Sequence, residues 1–232
     1  MQEKLQREII TTSDGSTTIH FPALNEQYHS KHGAVNEANH VFIRSGLEHI
    51  LNSKNFSKIS ILEIGFGTGL NAFVTYLKGQ EMIQNIDYVG VEAYPVPSEE
   101  VAQLNYGNIL NEGVCKQVFD TLHKVVWEQP VEVSPSFLLT KRKQFFKDIE
   151  DRDRFDLIYF DAFGARVQPD LWTVAIFQKM YDALKNYGVL VTYSAKGSVR
   201  RAMQEVGFTV ERLPGPPGKR EMLRATKGVL NL

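Results

Sequence analysis

Ile59-Ser-Ile-Leu-Glu-Ile-Gly-Phe-Gly-Thr-Gly-Leu-Asn71 is the stretch on which the reading of this chain turns. A short apolar run ends in a carboxylate, Glu63, and glycines follow at 65, 67 and 69. That is how a buried parallel strand passes into a helix through a loop that a nucleotide-like ligand can touch. Glycine suits such a loop because it permits positive φ and keeps Cβ away from the ligand.

The surrounding pattern alternates. A helix at about 69–79 leads to a strand at Asp87–Glu92, and Pro95 and Pro97 stand where proline is tolerated at a helix start. Further strands are expected near 136–140, 155–161, 188–193, 208–212 and 221–226, with helices at about 170–184 and 198–206. Strands alternating with helices imply an α/β fold with a mostly parallel sheet covered on both faces. With the strand at 59–64, seven strands are expected. The last two, joined across Pro214-Gly-Pro-Pro-Gly218, imply an antiparallel edge region. Upstream, Asp14-Gly15 between β-rich flanks predicts a small N-terminal hairpin. A polar loop over 24–40 follows, then a helix carrying Val41, Phe42, Leu47 and Ile50. The expected organisation is a hairpin and substrate-side extension over residues 1–45 and a Rossmann-like domain over 46–232, one compact unit overall.

Composition narrows the class. The chain has 232 residues, 43% hydrophobic and 23% charged, with net charge −1, which fits one globular α/β domain. No apolar run reaches the roughly 20 residues of a membrane span. The amino terminus lacks the apolar core of a signal peptide, and a single cysteine, Cys115, leaves no internal disulfide framework. A cytoplasmic location is expected. From Lys196 to Lys227 there are eight basic residues and three acids, a net +5; this is either a phosphate-facing surface or simply a solvated one.

Three nucleotide motifs compete for the glycine loop. The phosphate-cradling Gly-x4-Gly-Lys-Ser/Thr is excluded, because Leu70-Asn71 follows the last glycine. The dinucleotide pattern Gly-x-Gly-x-x-Gly is one residue longer than the spacing here, and Glu63 would repel a pyrophosphate. The same carboxylate suits a ligand with positive charge, and S-adenosylmethionine carries a sulfonium and an ammonium. Glu92, 23 residues past Gly69, stands where an acid accepts hydrogen bonds from ribose hydroxyls, a feature shared with NAD enzymes. Glu63 could instead serve a helix cap or an ion pair. Asp148, in a heavily charged run, is either an adenine contact or a solvated acid.

At the reacting end, Asp161 closes the apolar strand Leu157–Phe160 at the edge where open α/β sheets bind ligands. Such an acid can orient an attacking amine and receive its proton, whereas Asp170 is better placed to cap the next helix. His29-x-x-His32 is the one close histidine pair, with no obvious third ligand, so no metal is expected.

Several segments then resemble the methyltransferase module of the bacterial tRNA-modifying MnmC family. They are Leu62–Asn71, Asp161-Ala-Phe with Pro169-Asp-Leu-Trp172, Ser198–Phe208 and Pro214–Leu223, together with Tyr28-His-Ser, Glu37 and His40-Val-Phe-Ile43 upstream. The resemblance covers about residues 20–225. It implies a class I S-adenosylmethionine-dependent fold that methylates the amine of 5-aminomethyl-(2-thio)uridine at the tRNA wobble position. It also implies that the chain is the standalone methyltransferase form, without the flavin-dependent oxidase to which MnmC joins it. On this resemblance Glu63, Gly65, Gly67, Gly69, Asn71, Glu92 and Asp148 hold the cofactor and Asp161 is catalytic. For a flipped base, Tyr28, Phe163 and Trp172 are the stacking candidates, though each could equally be core and Trp172 reads better as core. Glu37 is a further substrate-side candidate, and Arg200, Arg201, Lys219 and Arg220 are the candidates for tRNA phosphates. The chain departs from the family at Phe163-Gly164-Ala165, at Val167-Gln-Pro-Asp170 and at Lys147, where the family has glycine. Alternatives are an enzyme acting on another amine, such as an aminopropyltransferase, an NAD-dependent oxidoreductase, or a non-catalytic adenosine-binding module.

Overall fold

A computed structural model describes residues 6–110 and 114–228. The chain opens with an antiparallel sheet of β1 (Glu8–Thr11), β2 (Thr17–Phe21) and the short β3 (Glu26–Gln27). The predicted Asp14-Gly15 turn lies between β1 and β2, and Gly15 has φ +83°. Asp14 secures the turn by accepting from the Thr12 and Ser16 hydroxyls and from the Asn36 N–H.

Helix starts earlier than the sequence suggested, inside the stretch read as a polar loop. α1 (Ala34–Ala38) runs through a π-helical segment, Asn39–Glu48, into α2 (His49–Ser53). Val41, Phe42, Ile43 and Leu47 are buried along it. The wider π spacing keeps these apolar residues against the sheet, so the helix expected from Val41, Phe42, Leu47 and Ile50 is present, wound differently over part of its length.

β4 (Ile59–Ile64) then leads through the glycine loop to α3 (Leu70–Glu81) and β5 (Ile86–Val91). Short helices α4 (Ser98–Val101) and α5 (Tyr106–Ile109) precede α6 (Val114–Lys124), which carries Cys115. The hairpin β6 (Pro130–Ser134) and β7 (Phe137–Arg142) follows, then β8 (Phe155–Phe160), α7 (Val174–Ala183) and β9 (Leu184–Thr192). The chain finishes with α8 (Gly197–Glu205), β10 (Thr209–Pro214) and β11 (Glu221–Thr226).

The main sheet has eight strands in the order β10-β11-β9-β8-β4-β5-β7-β6, one more than the seven expected. The extra strand is β6. Pro130 at its start and the alternation of exposed and half-buried positions along it mark an edge strand, a weak signal in sequence. Five adjacent strands, β9-β8-β4-β5-β7, are parallel. β11 is antiparallel to β9, and β6 is antiparallel to β7 at the other edge. All six residues of β8 are buried, as a strand covered on both faces must be.

This order places the functional edge. From β4 the chain winds outward through β5 to β7, then returns to lay β8 on the other side of β4. The crevice beyond the carboxyl ends of β4 and β8 is therefore the switch point at which such sheets bind ligands. Ile64 O accepts from the Asp161 N–H at 2.9 Å, so the glycine loop and the strand-end acid emerge side by side.

Candidate functional site

The glycine loop is built for close backbone approach. Gly65, Gly67 and Gly69 all have positive φ, at +92°, +49° and +71°. A Cβ on Gly65 would sit 2.6 Å from Asp161 O, so the loop passes directly against the backbone of the acid. A Cβ on Gly67 would lie 2.9 Å from the Tyr28 ring. The N–H groups of Gly65 and Phe66 both donate to Val91 O at 3.0 Å, tying the loop to the end of β5.

Three carboxylates converge around this loop. Glu63 is fully buried on β4, and among the described residues neither of its oxygens has a hydrogen-bond partner. Burial holds its pKa well above the usual carboxylate range, and the nearby Asp161 and Glu92 add to the effect. The Tyr88 hydroxyl and the Asn71 amide favour the ionised form without meeting hydrogen-bond geometry. A buried acid left without a partner costs stability unless a ligand supplies the donor. Glu92 accepts from the Gly67 N–H at 3.1 Å and the Tyr94 N–H at 2.9 Å. Its pKa is nevertheless raised, because burial outweighs those bonds. Each oxygen keeps a lone pair for a further donor.

Asp161 completes the group. Its Oδ2 accepts from Asn71 Nδ2 at 2.8 Å, from the first turn of α3. Its pKa is raised to about 7, first by burial and then by the charge of Glu37, while the Asn71 bond and Lys219 oppose the rise. A carboxyl poised near neutrality is matched to proton exchange at physiological pH.

A second group of side chains beside these acids comes from the N-terminal extension and from loops at the other end of the chain. Tyr28 and Phe163 meet edge to face at 5.0 Å, and Phe163 meets Phe21 at 5.6 Å. Glu37 is buried, with Oε1 accepting from the Ser30 N–H at 3.0 Å and Oε2 paired with Lys219 Nζ. The Lys219 ammonium also lies 4.0 Å above the Tyr193 ring centroid, and the Tyr193 hydroxyl donates to Ala162 O at 2.8 Å.

The remaining candidates offer this group less than their positions in sequence suggested. Trp172 is buried against Phe160, Phe177 and Tyr193, and its indole N–H donates to Phe163 O at 2.8 Å. It braces the loop from within rather than offering a face. Asp148 is exposed in the short 3-10 turn Phe146–Asp148. Arg201 and Arg220 are exposed, whereas Arg200 is half-buried with its Nε unpartnered. Lys219 was read as a phosphate contact, but its ammonium is turned inward to Glu37. Arg212, Arg224 and Lys227 are also in ion pairs, with Glu221, Glu211 and Asp153. The basic segment is thus less cationic towards solvent than its net charge suggests.

Sequence reading missed several contributors. His29 Nε2 and Thr68 Oγ1 are 2.6 Å apart, and His123 Nε2 lies 3.1 Å from Thr68 O. Buried His29 and half-buried His123 therefore hold the middle of the glycine loop, and desolvation lowers the pKa of each to about 4. Tyr94 and Phe145 form an exposed edge-to-face pair near Glu92 and Asp148. None of these carries a local motif, because each acts through a contact distant in sequence. Among the described residues, no helix is long and apolar enough to cross a membrane.

Comparison with known proteins agrees with this geometry. Residues 119–228 match the model of a family described as S-adenosyl-L-methionine-dependent methyltransferase. The chain is related to the tRNA 5-methylaminomethyl-2-thiouridine biosynthesis bifunctional protein MnmC of Burkholderia multivorans. The two are 27% identical over 96% of this chain and 35% of that protein. The MnmC protein of Burkholderia mallei is 29% identical over 93% of this chain and 34% of its own length. The chain thus spans about a third of the length of the curated relatives it matches. Among solved structures, MNMC2 from Aquifex aeolicus superposes with a TM-score of 0.78 at 24% identity, covering 98% of this chain and 72% of that one. That likeness shows that the two chains share a fold.

Proposed function

We propose that this chain, a relative of the MnmC proteins over nearly its whole length, uses S-adenosylmethionine to methylate a primary amine on a tRNA wobble uridine. The substrate is a 5-aminomethyl-(2-thio)uridine and the product its 5-methylaminomethyl form. The supporting observation is the pairing of an orphaned buried acid, Glu63, with a near-neutral acid, Asp161, across Asn71 at the switch point.

The residues present fit the cofactor. Gly65, Gly67 and Gly69 let the loop take positive φ and press against neighbouring protein groups, and the unpartnered oxygens of Glu63 and Asn71 Oδ1 call for donors that a cationic amino acid moiety supplies. Glu92 takes the ribose hydroxyls and Asp148 the adenine amino group. When bound, S-adenosylmethionine supplies a methyl group on a sulfonium that leaves as a thioether. The step is redox-neutral, so it calls for no flavin.

The chain's own contribution is positioning and proton handling. Asp161 binds the acceptor ammonium, takes a proton from it and orients the freed lone pair along the line of transfer. Asp161 then releases that proton to solvent, and as the new N–C bond forms and positive charge develops on the nitrogen the regenerated carboxylate offsets it. Tyr28 and Phe163 stack the flipped base, the sequence-tolerant route by which proteins hold an unstacked nucleotide. Residues 1–45 supply this substrate side and residues 46–232 the cofactor domain. Arg200, Arg201 and Arg220 meet phosphates. A tRNA substrate agrees with a cytoplasmic location.

Asp161→Asn tests the assignment. It keeps the shape and the contact with Asn71 but cannot take a proton. Turnover on hypomodified tRNA should fall at least about 100-fold, the scale of general acid–base contributions. Near wild-type turnover would remove Asp161 from the mechanism.

A further inference from the structure

We propose that Glu37, Tyr193 and Asp161 form a subsite for a primary ammonium, and that Lys219 is an internal occupant which the acceptor displaces. This rests on the amine-methylation reading and specifies how the amine is recognised.

The geometry is that of a cation site. Lys219 Nζ pairs with the buried Glu37 carboxylate and lies 4.0 Å above the Tyr193 ring centroid. A carboxylate beside an aromatic face is a favourable environment for an ammonium, because both present negative potential. The Tyr193 hydroxyl bonds to Ala162 O at 2.8 Å, which fixes the ring next to the residue that follows Asp161. Both Glu37 and Lys219 act electrostatically on the Asp161 carboxyl, in opposite directions. The ammonium is therefore within range of the reacting acid.

The occupant is chemically the same group as the proposed substrate. A lysine side chain ends in CH2–NH3+, and so does an aminomethyl uridine at neutral pH. Lys219 reaches this position from the turn between β10 and β11, where its N–H bonds to Pro216 O and the preceding Gly218 has φ +82°. Its side chain is 32% exposed against 7% for Glu37, so the lysine has a path to solvent that the glutamate lacks. In the free protein it spares Glu37 from being a buried, unpaired charge. An amine-bearing ligand must displace it, and its apparent affinity falls by the fraction of time the subsite is filled. A ligand without the amine cannot make this exchange, so the device also favours the aminated base.

Lys219→Met, which keeps the length of the stem and removes the charge, tests the inference. Acceptor KM should fall roughly fivefold, and ethylammonium should bind at least about tenfold more tightly than to wild type by calorimetry. Glu37→Gln should abolish ethylammonium binding. Melting temperature and S-adenosylhomocysteine affinity report whether the methionine variant is folded. Should it not fold, Lys219→Arg serves instead: a planar fork engages Glu37 more firmly and should raise acceptor KM. An equal rise in Kd for tRNA with and without the amine in Lys219→Met would make Lys219 a phosphate contact and overturn the proposal. Unchanged ethylammonium affinity, or unchanged acceptor KM in Lys219→Arg, would overturn it too. The calorimetric arm needs no turnover, so it distinguishes failure of the subsite from failure of the methyltransferase reading.

Discussion

Asn71 Nδ2 donates to Asp161 Oδ2 at 2.8 Å, joining the first turn of α3 to the acid that ends β8. The bond favours the ionised carboxylate and so works against the burial that raises the Asp161 pKa to about 7. Methyl transfer that needs the carboxylate form loses rate as pH falls through that value. In Asn71→Ala the opposing bond is gone, the pKa rises further, and the acid limb of kcat/KM moves to higher pH. Asn71 also lines the proposed cofactor site, so the amplitude falls as well, but the position of the limb reports Asp161. An unmoved limb in the pH profile would separate the two residues functionally.

The same acid strains the fold. Its pKa rises from 3.8 to about 7 on folding. The folded state therefore holds the proton more tightly, and the stability that this contributes below pH 3.8 is lost as pH rises through 7. Asp161→Asn should raise the stability of the cofactor-free protein at pH 8 by roughly 2–4 kcal/mol and change it little at pH 4. Thermal melts at the two pH values measure this. Equal effects at both would mean that Asp161 is not held near neutrality.

Gly65 is the least replaceable glycine of the loop. Its φ of +92° disfavours any side chain, and a Cβ would meet Asp161 O at 2.6 Å, where backbone must move. At Gly67 the corresponding neighbour is the Tyr28 ring. Gly65→Ala should cost about 2 kcal/mol or more, a fall in Tm of roughly 5–10 °C, with loss of S-adenosylhomocysteine binding. Calorimetric affinity and melting read both effects, and retention of wild-type affinity would show that the loop does not hold the cofactor.

Binding of tRNA should be steeply salt-dependent, with Arg201 and Arg220 as exposed contributors. The double variant Arg201→Ala, Arg220→Ala should make the log–log salt slope shallower by roughly 2. Filter binding across a salt series tests this. An unchanged slope would place the phosphates on another face.

The parallel core was legible because β4, β5 and β8 are short apolar runs ending in acids, and a strand buried on both faces leaves little sequence ambiguity. The loop was legible too, since alternate glycines at 65, 67 and 69 all take positive φ. Edges and long-range pairs were not. β6 alternates between exposed and half-buried positions, as edge strands do. The helix carrying Val41, Phe42, Leu47 and Ile50 was legible, but not its earlier start at Ala34 or its π winding over Asn39–Glu48. Lys219 read as a surface cation because its partner Glu37 lies 182 residues away in sequence. His29 and His123 gained their role only when folding brought both to Thr68.

The central claim is that a methyl group passes from S-adenosylmethionine to a wobble-base amine beside Asp161. The most direct measurement incubates the purified chain with methyl-labelled S-adenosylmethionine and tRNA from a strain lacking the final methylation, followed by nucleoside analysis. The account predicts label in 5-methylaminomethyl-(2-thio)uridine, and its loss with Asp161→Asn. Label in a polyamine or in protein, with none in the wobble nucleoside, would contradict it.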